Sequence, residues 1–475
     1  MISQALDIIQ IRKIHEVSMR ILSEIGVHVP HDEMLGRFMD SGAKVDFNTK
    51  QVFIPEELVR RCLGTAGKKY VLYGRDASIT ASFGYGGRNY NSSAGEALWI
   101  EKPCEDRRYA TLPDVAKAVR LADALPHIGI PGAMSDPHEL PVEWRCVAVF
   151  AEMLRNTAKP VTFWFHDRAS AKYLNEIVVA VRGGVKEAIE KPLCYPFLEP
   201  ISPLSFPFNG IDLLYETSKL NMPVPVGPMA QTGLSAPATL AGTMAQENAE
   251  ILAGICITQL VKEGMPVCYG GICHAFDMST TQLIFGGPEQ AIFGVAMTQM
   301  GRHYGLPVYI NVGLTDSKRP DAQAGLESGV TLALGASAGA DIFGHMGICG
   351  VDQASSLDML VLQDEIISYV ESVNRKMDFS DEAFGFDVMA EAGPKGTFID
   401  KMHTAEHFRN ELWFPEMLDR NFYEAWKAKG AGDLESECEV RKEKLLASHE
   451  PQPLPRDLEE ELARIVGTAK TELGK

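Results

Sequence analysis

Four features are missing from this 475-residue sequence. None of its nine cysteines (62, 104, 146, 194, 256, 268, 273, 349 and 438) forms a C-x-x-C pair. Their odd number and wide spread in a long chain argue against a secreted disulfide scaffold. No uninterrupted apolar stretch reaches the roughly 20 residues that a membrane-spanning helix needs. No G-x-G-x-x-G fingerprint opens the first βα unit; "FGYGGRN" has the wrong spacing, which weakens a dinucleotide-binding fold. There is also no surplus of positive charge. With 45 Lys and Arg against 63 Asp and Glu, the net charge of −18 leaves nothing to neutralise a nucleic-acid backbone. The first 26 residues read as an amphipathic helix carrying Arg12, Lys13, Glu16 and Glu24 rather than as a secretory leader. The expected location is therefore cytoplasmic, with neither nucleic acid nor membrane as partner.

What is present is a rhythm. "HIGIPGAMSD" begins at 127, "KPVTFWFHD" at 159, "KPLCYPFLEP" at 191, "MPVPVGPMAQTG" at 222, "MPVCYGGICHAFD" at 265, "LPVYINVGLTDS" at 306 and "DIFGHMGICG" at 341. Helical stretches such as "EWRCVAVFAEMLRNT" and "AQENAEILAGICITQLVKEG" lie between them. Strands that alternate with helices every 30 to 40 residues or so are parallel βα units. With an eighth strand placed at "ALWIE" (97–101), the expected fold is a (β/α)₈ TIM-type barrel; an open doubly wound sheet is the alternative. The expected domains are an N-terminal α+β cap region (1–90), the barrel (91–400) and a C-terminal helical extension (401–475). "SFGYGGRNYNSS" (82–93) reads as loop or linker.

Each apolar run ends abruptly in polar side chains: His166 and Asp167, Glu199, Gln231, His274 and Asp277, Asn311, Asp316 and Lys318, His345. In a barrel those strand ends share one mouth, where binding groups belong. Aromatic residues crowd the same places. An aromatic-walled pocket with few carboxylates holds a quaternary ammonium ion by cation–π attraction. Trp164, Tyr195, Phe197 and Tyr309 are the candidates for that wall, with Asn311 and Glu199 beside them, although strand alternation must turn about half of all such aromatics toward the helices. His345 with His274 can donate to a substrate carboxylate. Three further readings stay open. His166, His274, His345 and Glu199 can be read as the metal site of a barrel hydrolase or lyase. Cys273 can be read as a nucleophile, or the chain as a non-catalytic betaine-binding protein. In "GLTDSKRPDAQAGLE", Asp316 and Lys318 are catalytic candidates, and Asp321 is placed to cap the following helix.

Four stretches, "IHEVSMRILSEIGVHV", "TLPDVAKAVRLADALPHI", "GLTDSKRPDAQAGLE" and "HTAEHFRNELWFPEMLDRNFYEAW" (403–426), carry a resemblance over nearly the whole chain. The sequence resembles the trimethylamine methyltransferase superfamily of corrinoid-dependent methyltransferases. The resemblance implies a barrel that moves a methyl group from a methylated amine to the Co(I) of a corrinoid protein. The cobalamin belongs to that partner, and no metal bound by the chain itself is expected. Trimethylamine members carry pyrrolysine on the strand leading into the "TDSK"-like loop. Here that place falls within Val312–Leu314, among standard residues. A quaternary amine has no lone pair to block and can release its methyl directly, so a quaternary amine is the expected donor. Glycine betaine is the favoured member; proline betaine and carnitine-type compounds are alternatives. Catalysis would then be positioning and desolvation. A homo-oligomer is expected.

Overall fold

The computed structural model describes residues 3–102 and 106–474, which leaves Cys104 outside. Its centre is a curled five-stranded parallel sheet in the order Asn89–Ser92, Ile342–Met346, Val308–Ile310, Val267–Gly271, Val224–Val226. Val308, Tyr309 and Ile310 are buried on both faces, as their β-branched and aromatic character requires between a filled interior and a helix layer. Further extended segments join by single bridges: Asn91 to Ile130, Gly132 to Thr162, and Leu198 to Val226, all parallel. The Val161 N–H also donates to the Leu193 carbonyl at 3.3 Å. The molecule is thus α/β and TIM-barrel-like.

Helices follow the strands and start where the sequence supplies caps. Asp321 accepts from the Ala324 N–H at 3.0 Å and opens the Ala322–Ala338 helix, as its position in the "TDSK" segment predicts. Proline stands at the start of Pro288–His303. The helix Leu240–Val261 is buried almost all round, because the N-terminal helices Ile8–Arg20 and Glu56–Thr65 pack over it. Among the described residues, no helix is long and apolar enough to cross a membrane.

One strand differs from the sequence reading. "ALWIE" does not enter the central sheet; Leu98–Ile100 pairs with Ala354–Ser356 and Arg108–Tyr109 in a separate four-stranded sheet. The strand in its place is Asn89–Ser92, inside the segment read as a linker. Its composition is wrong for a strand, yet its polar groups are paired. Gly132 N–H donates to the Ser92 hydroxyl at 2.6 Å, and Asn89 Nδ2 donates to the carbonyls of Ser82 and Asp341, each at 2.9 Å. The neighbouring backbone passes so close that a Cβ on Gly132 would lie 1.9 Å from the Ser93 carbonyl oxygen. Tertiary hydrogen bonding overrides strand propensity here.

The antiparallel hairpin Tyr70–Tyr73 and Thr80–Phe83 closes one end of the sheet's interior. Tyr70, Leu72, Ala81 and Phe83 form one apolar cluster with Ile130, Tyr195, Cys268, Ile272, Tyr309 and Ile342. Asp341 ties this plug to the sheet. Its fully buried carboxylate accepts from Gly84 N–H at 2.7 Å and Val308 N–H at 2.8 Å and pairs with Arg302 at 2.8 Å. C-terminal helices complete the outer layer: Leu434–Ser448 packs on Leu357–Val373, with Lys442 buried against Asp358 at 3.0 Å. Arg456–Leu473 lies on Val142–Asn156 and Arg168–Arg182 through Leu462, Ile465 and Ala469. The Asp341→Ala substitution strands two backbone donors and is expected to cost about 2–4 kcal/mol. A fall in the urea midpoint with an unchanged slope checks it.

Candidate functional site

The interior left open above the hairpin plug is a small chamber of about 80 Å³, lined by Gly95, Glu96, Trp164, Phe197, Glu199, Met229, Ile272, Phe285, Asn311, His345 and Asp352. That is room for one compact group. It shares Trp164, Phe197, Glu199 and Met229 with an outer basin of about 680 Å³, which adds Phe165, His166, Ile201, Ser202, Asn209, Gln231 and Ser235.

Strand alternation explains which candidates arrive. Tyr195, Phe197 and Glu199 project to one side at rising depth. Tyr195 is buried in the plug cluster, while Phe197 and Glu199 reach the chamber. Tyr309 and Asn311 repeat the pattern: Tyr309 is sealed below and Asn311 lines the cavity. Trp164 is fixed by its Nε1–H to the Gly95 carbonyl at 2.9 Å and meets Phe197 edge-on at 6.3 Å. Phe197 in turn stands edge-on to Tyr309 at 5.4 Å. Gly227 makes room for it, since a Cβ there would lie 2.7 Å from the ring. Other aromatics near strand ends pack outward: Phe163 stacks on Phe150, and Phe343 on Tyr90.

His345 reaches the chamber against the alternation. Ile342 and Gly344 face inward, so the next residue should face the helices. The pairing register with Asn89–Ser92 shifts between Phe343 and Met346, and His345 adopts φ 78°. A bulge with a left-handed residue re-aims the side chain. Val351 and Asp352 are also left-handed, at φ 63° and 54°. Each such residue stores about 1–3 kcal/mol of strain, which the surrounding packing must hold.

His274 does not line the chamber. It is fully buried and stacked on Phe285 at 4.4 Å. Burial lowers its pKa to about 3 and that of His345 to about 4, so both imidazoles are neutral. Asp316 stands one step behind the wall. Its Oδ1 accepts from the Phe285 N–H at 2.7 Å and so positions that ring. Lys318 is exposed and donates to the Asp316 carbonyl at 2.8 Å. Cys273 is buried, and burial pushes its thiol pKa far up. His166 lies in the basin, bound to the Val142 carbonyl at 2.9 Å, apart from His274. Among the described residues, no group of three His, Cys, Asp or Glu is arranged to hold a metal ion.

The carboxylates are more numerous than the sequence suggested. Glu96 and Asp352 join Glu199 around the chamber. Burial raises Glu199 to about 7. Burial and then the charge of Glu199 raise Asp352 to about 7. Burial and then Asp352 hold Glu96 well above the usual carboxylate range, although it accepts from the Ser93 hydroxyl at 2.8 Å. No Lys or Arg is among the residues lining the chamber or the basin. Glu96 escaped notice because the strand before it was misplaced. Asp352 lies in the turn between the strands Ile348–Cys349 and Ala354–Ser356, and only its sequel to "HMGICG" marks it.

A carboxyl whose folded pKa lies above its unfolded value of 4.5 contributes stability below that value, and the contribution is lost as pH rises through about 7. Glu199→Gln is therefore expected to match the parent's stability near about pH 4 and to exceed it by roughly 1–3 kcal/mol near about pH 8. Thermal melts of both proteins across that range check the divergence.

Comparison with known proteins places this geometry in context. The profile of the trimethylamine methyltransferase (MTTB) family matches residues 2–474. A glycine betaine methyltransferase of Desulfitobacterium hafniense is 30% identical over 468 residues, covering 98% of this chain and 97% of that one. The trimethylamine methyltransferase MttB of Methanosarcina barkeri is 30% identical over 473 residues, covering 97% and 94%. The crystal structure of the Methanosarcina barkeri monomethylamine methyltransferase MtmB superposes with a TM-score of 0.51 at 10% identity, over 98% of this chain and 92% of that one, a likeness of fold. By its sequence, the chain belongs to the trimethylamine methyltransferase (MTTB) family.

Proposed function

We propose that this methyltransferase moves a methyl group from a quaternary amine to the Co(I) of a corrinoid protein. The observation that carries the reading is the chamber: Trp164, Phe197 and Phe285 face a space rimmed by Glu96, Glu199 and Asp352 with no Lys or Arg in its lining. Aromatic faces attract an onium ion by about 0.5–2 kcal/mol per contact, and buried carboxylates supply the counter-charge. Neither a general acid nor a nucleophile is needed. Co(I) attacks the methyl carbon, the C–N electron pair stays on nitrogen, and a neutral tertiary amine leaves while cobalt keeps the methyl as methyl-Co(III). The protein's part is to hold the nitrogen, aim one methyl outward and exclude water. The outer basin, with Ile201 and Leu234 exposed on it, is the side from which the acceptor protein would approach.

Part of this reading is architectural. The bridged segments near 130–132, 161–162 and 193–198 would complete the curled sheet as an eight-stranded (β/α)₈ barrel, with the chamber at its mouth; the bridges support this closure. Self-association belongs to the proposal too. Phe379, Phe384, Phe386, Ile399 and Phe422 are all exposed, and their exposure supports it. The glycine betaine expected from the sequence is one member of the donor class, and the name of the Desulfitobacterium relative supports the class.

The test is spectroscopic. Purified protein is mixed with reduced cobalamin and a panel of quaternary amines and trimethylamine, and the loss of the Co(I) band is followed. Methylation by one or more quaternary donors is the expected result; transfer from trimethylamine alone overturns the reading. Trp164→Ala is expected to lower kcat/KM about 10- to 30-fold, mostly through KM, and Trp164→Phe less.

A further inference from the structure

Charge balance in the chamber narrows the donor. A quaternary nitrogen brings one positive charge. In glycine betaine a carboxylate sits a single methylene away, so the molecule is neutral overall and its anionic end must share the nitrogen's surroundings. Those surroundings are Glu96, Glu199 and Asp352. A site built for a betaine needs cationic or strong donor groups on that end. The chamber lining offers His345, neutral at about pKa 4, and the Asn311 amide; the basin adds no Lys or Arg, and its His166, which burial lowers but Cys146, the Val142 carbonyl and Asp136 together raise to about 9, has its charge turned to Asp136. His166 is already held by the Val142 carbonyl and lies 3.8 Å from Asp136. His274, the expected second donor, is away from the cavity against Phe285.

An independent observation points the same way. Asn311 is only 4% exposed, lines the chamber, and its Oδ1 has no hydrogen-bond partner. An orphaned buried acceptor calls for a ligand that brings a donor or positive charge. The polarised hydrogens of N-methyl groups, or an alcohol O–H, meet that need; a carboxylate oxygen does not.

We propose that the donor is a quaternary ammonium of net positive charge without a carboxylate of its own, such as tetramethylammonium or a choline-type alcohol, held by Trp164, Phe197 and Phe285 and countered by Glu96, Glu199 and Asp352. This rests on the methyl-transfer reading above. The selection is electrostatic: a cation favours the charged form of the buried acids, while a zwitterion brings its own carboxylate beside them and offsets that gain.

The experiment compares tetramethylammonium chloride, choline, glycine betaine and carnitine as methyl donors to reduced cobalamin, with the full-length protein. In parallel, calorimetry measures binding of tetramethylammonium and glycine betaine without any acceptor. A kcat/KM at least about tenfold higher for a net-cationic donor than for either carboxylate-bearing one is the expected result. Glu199→Gln should raise KM for the cation several-fold, leave kcat nearly unchanged, and narrow its advantage over glycine betaine. Asp352→Asn gives the same readout should the first variant fail to fold. Preference for glycine betaine or carnitine overturns the charge argument and leaves methyl transfer standing. Silence of all four donors overturns methyl transfer, and calorimetry then decides alone. Tighter binding of tetramethylammonium than of glycine betaine upholds the charge argument, and equal or weaker binding overturns it.

Discussion

Three carboxyl groups buried around one small space, with no Lys or Arg in its lining, are the constraint from which the rest of this molecule follows. Burying acids without partners is costly, and a fold tolerates it only where something else is gained. Here each is pushed toward its neutral form, Glu199 and Asp352 to about 7, so a positive charge placed in the chamber would draw them into their charged form. The aromatic wall adds attraction without adding charge. Preorganised groups of this kind bind because their desolvation has already been met by folding.

Holding such a site takes backbone devices as well as side chains. His345 is turned inward by a bulge and a left-handed φ, and Asp352 sits in a second left-handed turn. Gly344 lies between them and the core, where any Cβ would meet the Tyr309 hydroxyl at 1.8 Å. Behind the wall, Glu247 reaches from the buried helix Leu240–Val261 to the N–H groups of Ala230 at 3.1 Å and Ile272 at 2.8 Å, fixing two stretches that flank the chamber. Asp316 does the same for Phe285. Removing such supports loosens a site without touching its ligand.

Much of this was legible in the sequence, in a particular way. The "K/M/L-P-apolar" openings marked the repeating units, and the polar ends of the runs marked the mouth. Trp164, Phe197, Glu199, Asn311 and His345 all line the chamber. Parity along a strand can be read from sequence, but depth cannot: Tyr195 and Tyr309 share a face with Phe197 and Asn311 and lie one layer lower. Nor does composition reveal a strand whose polar side chains are satisfied by distant partners. Asn89–Ser92 was therefore taken for a linker, and Glu96 just beyond it passed unnoticed. His274 shares parity with Cys268 and Ile272, which face the interior, but lies past the strand's end at Gly271 and stacks on Phe285 instead of lining the chamber.

The hairpin packs beneath the cluster that carries Phe197, Met229 and Ile272, and the chamber shares Trp164, Phe197, Glu199 and Met229 with the outer basin. Under the proposed methyl transfer, an acceptor seated over that basin covers the route between basin and chamber while it stays. Turnover would therefore be gated by traffic: the small cation loads first, the macromolecule covers it, and the spent amine escapes only after the cover lifts. On that proposal the order of binding depends on the plug formed by Tyr70, Leu72, Ala81 and Phe83, which packs with Ile272, Phe197 and Met229 of the chamber wall.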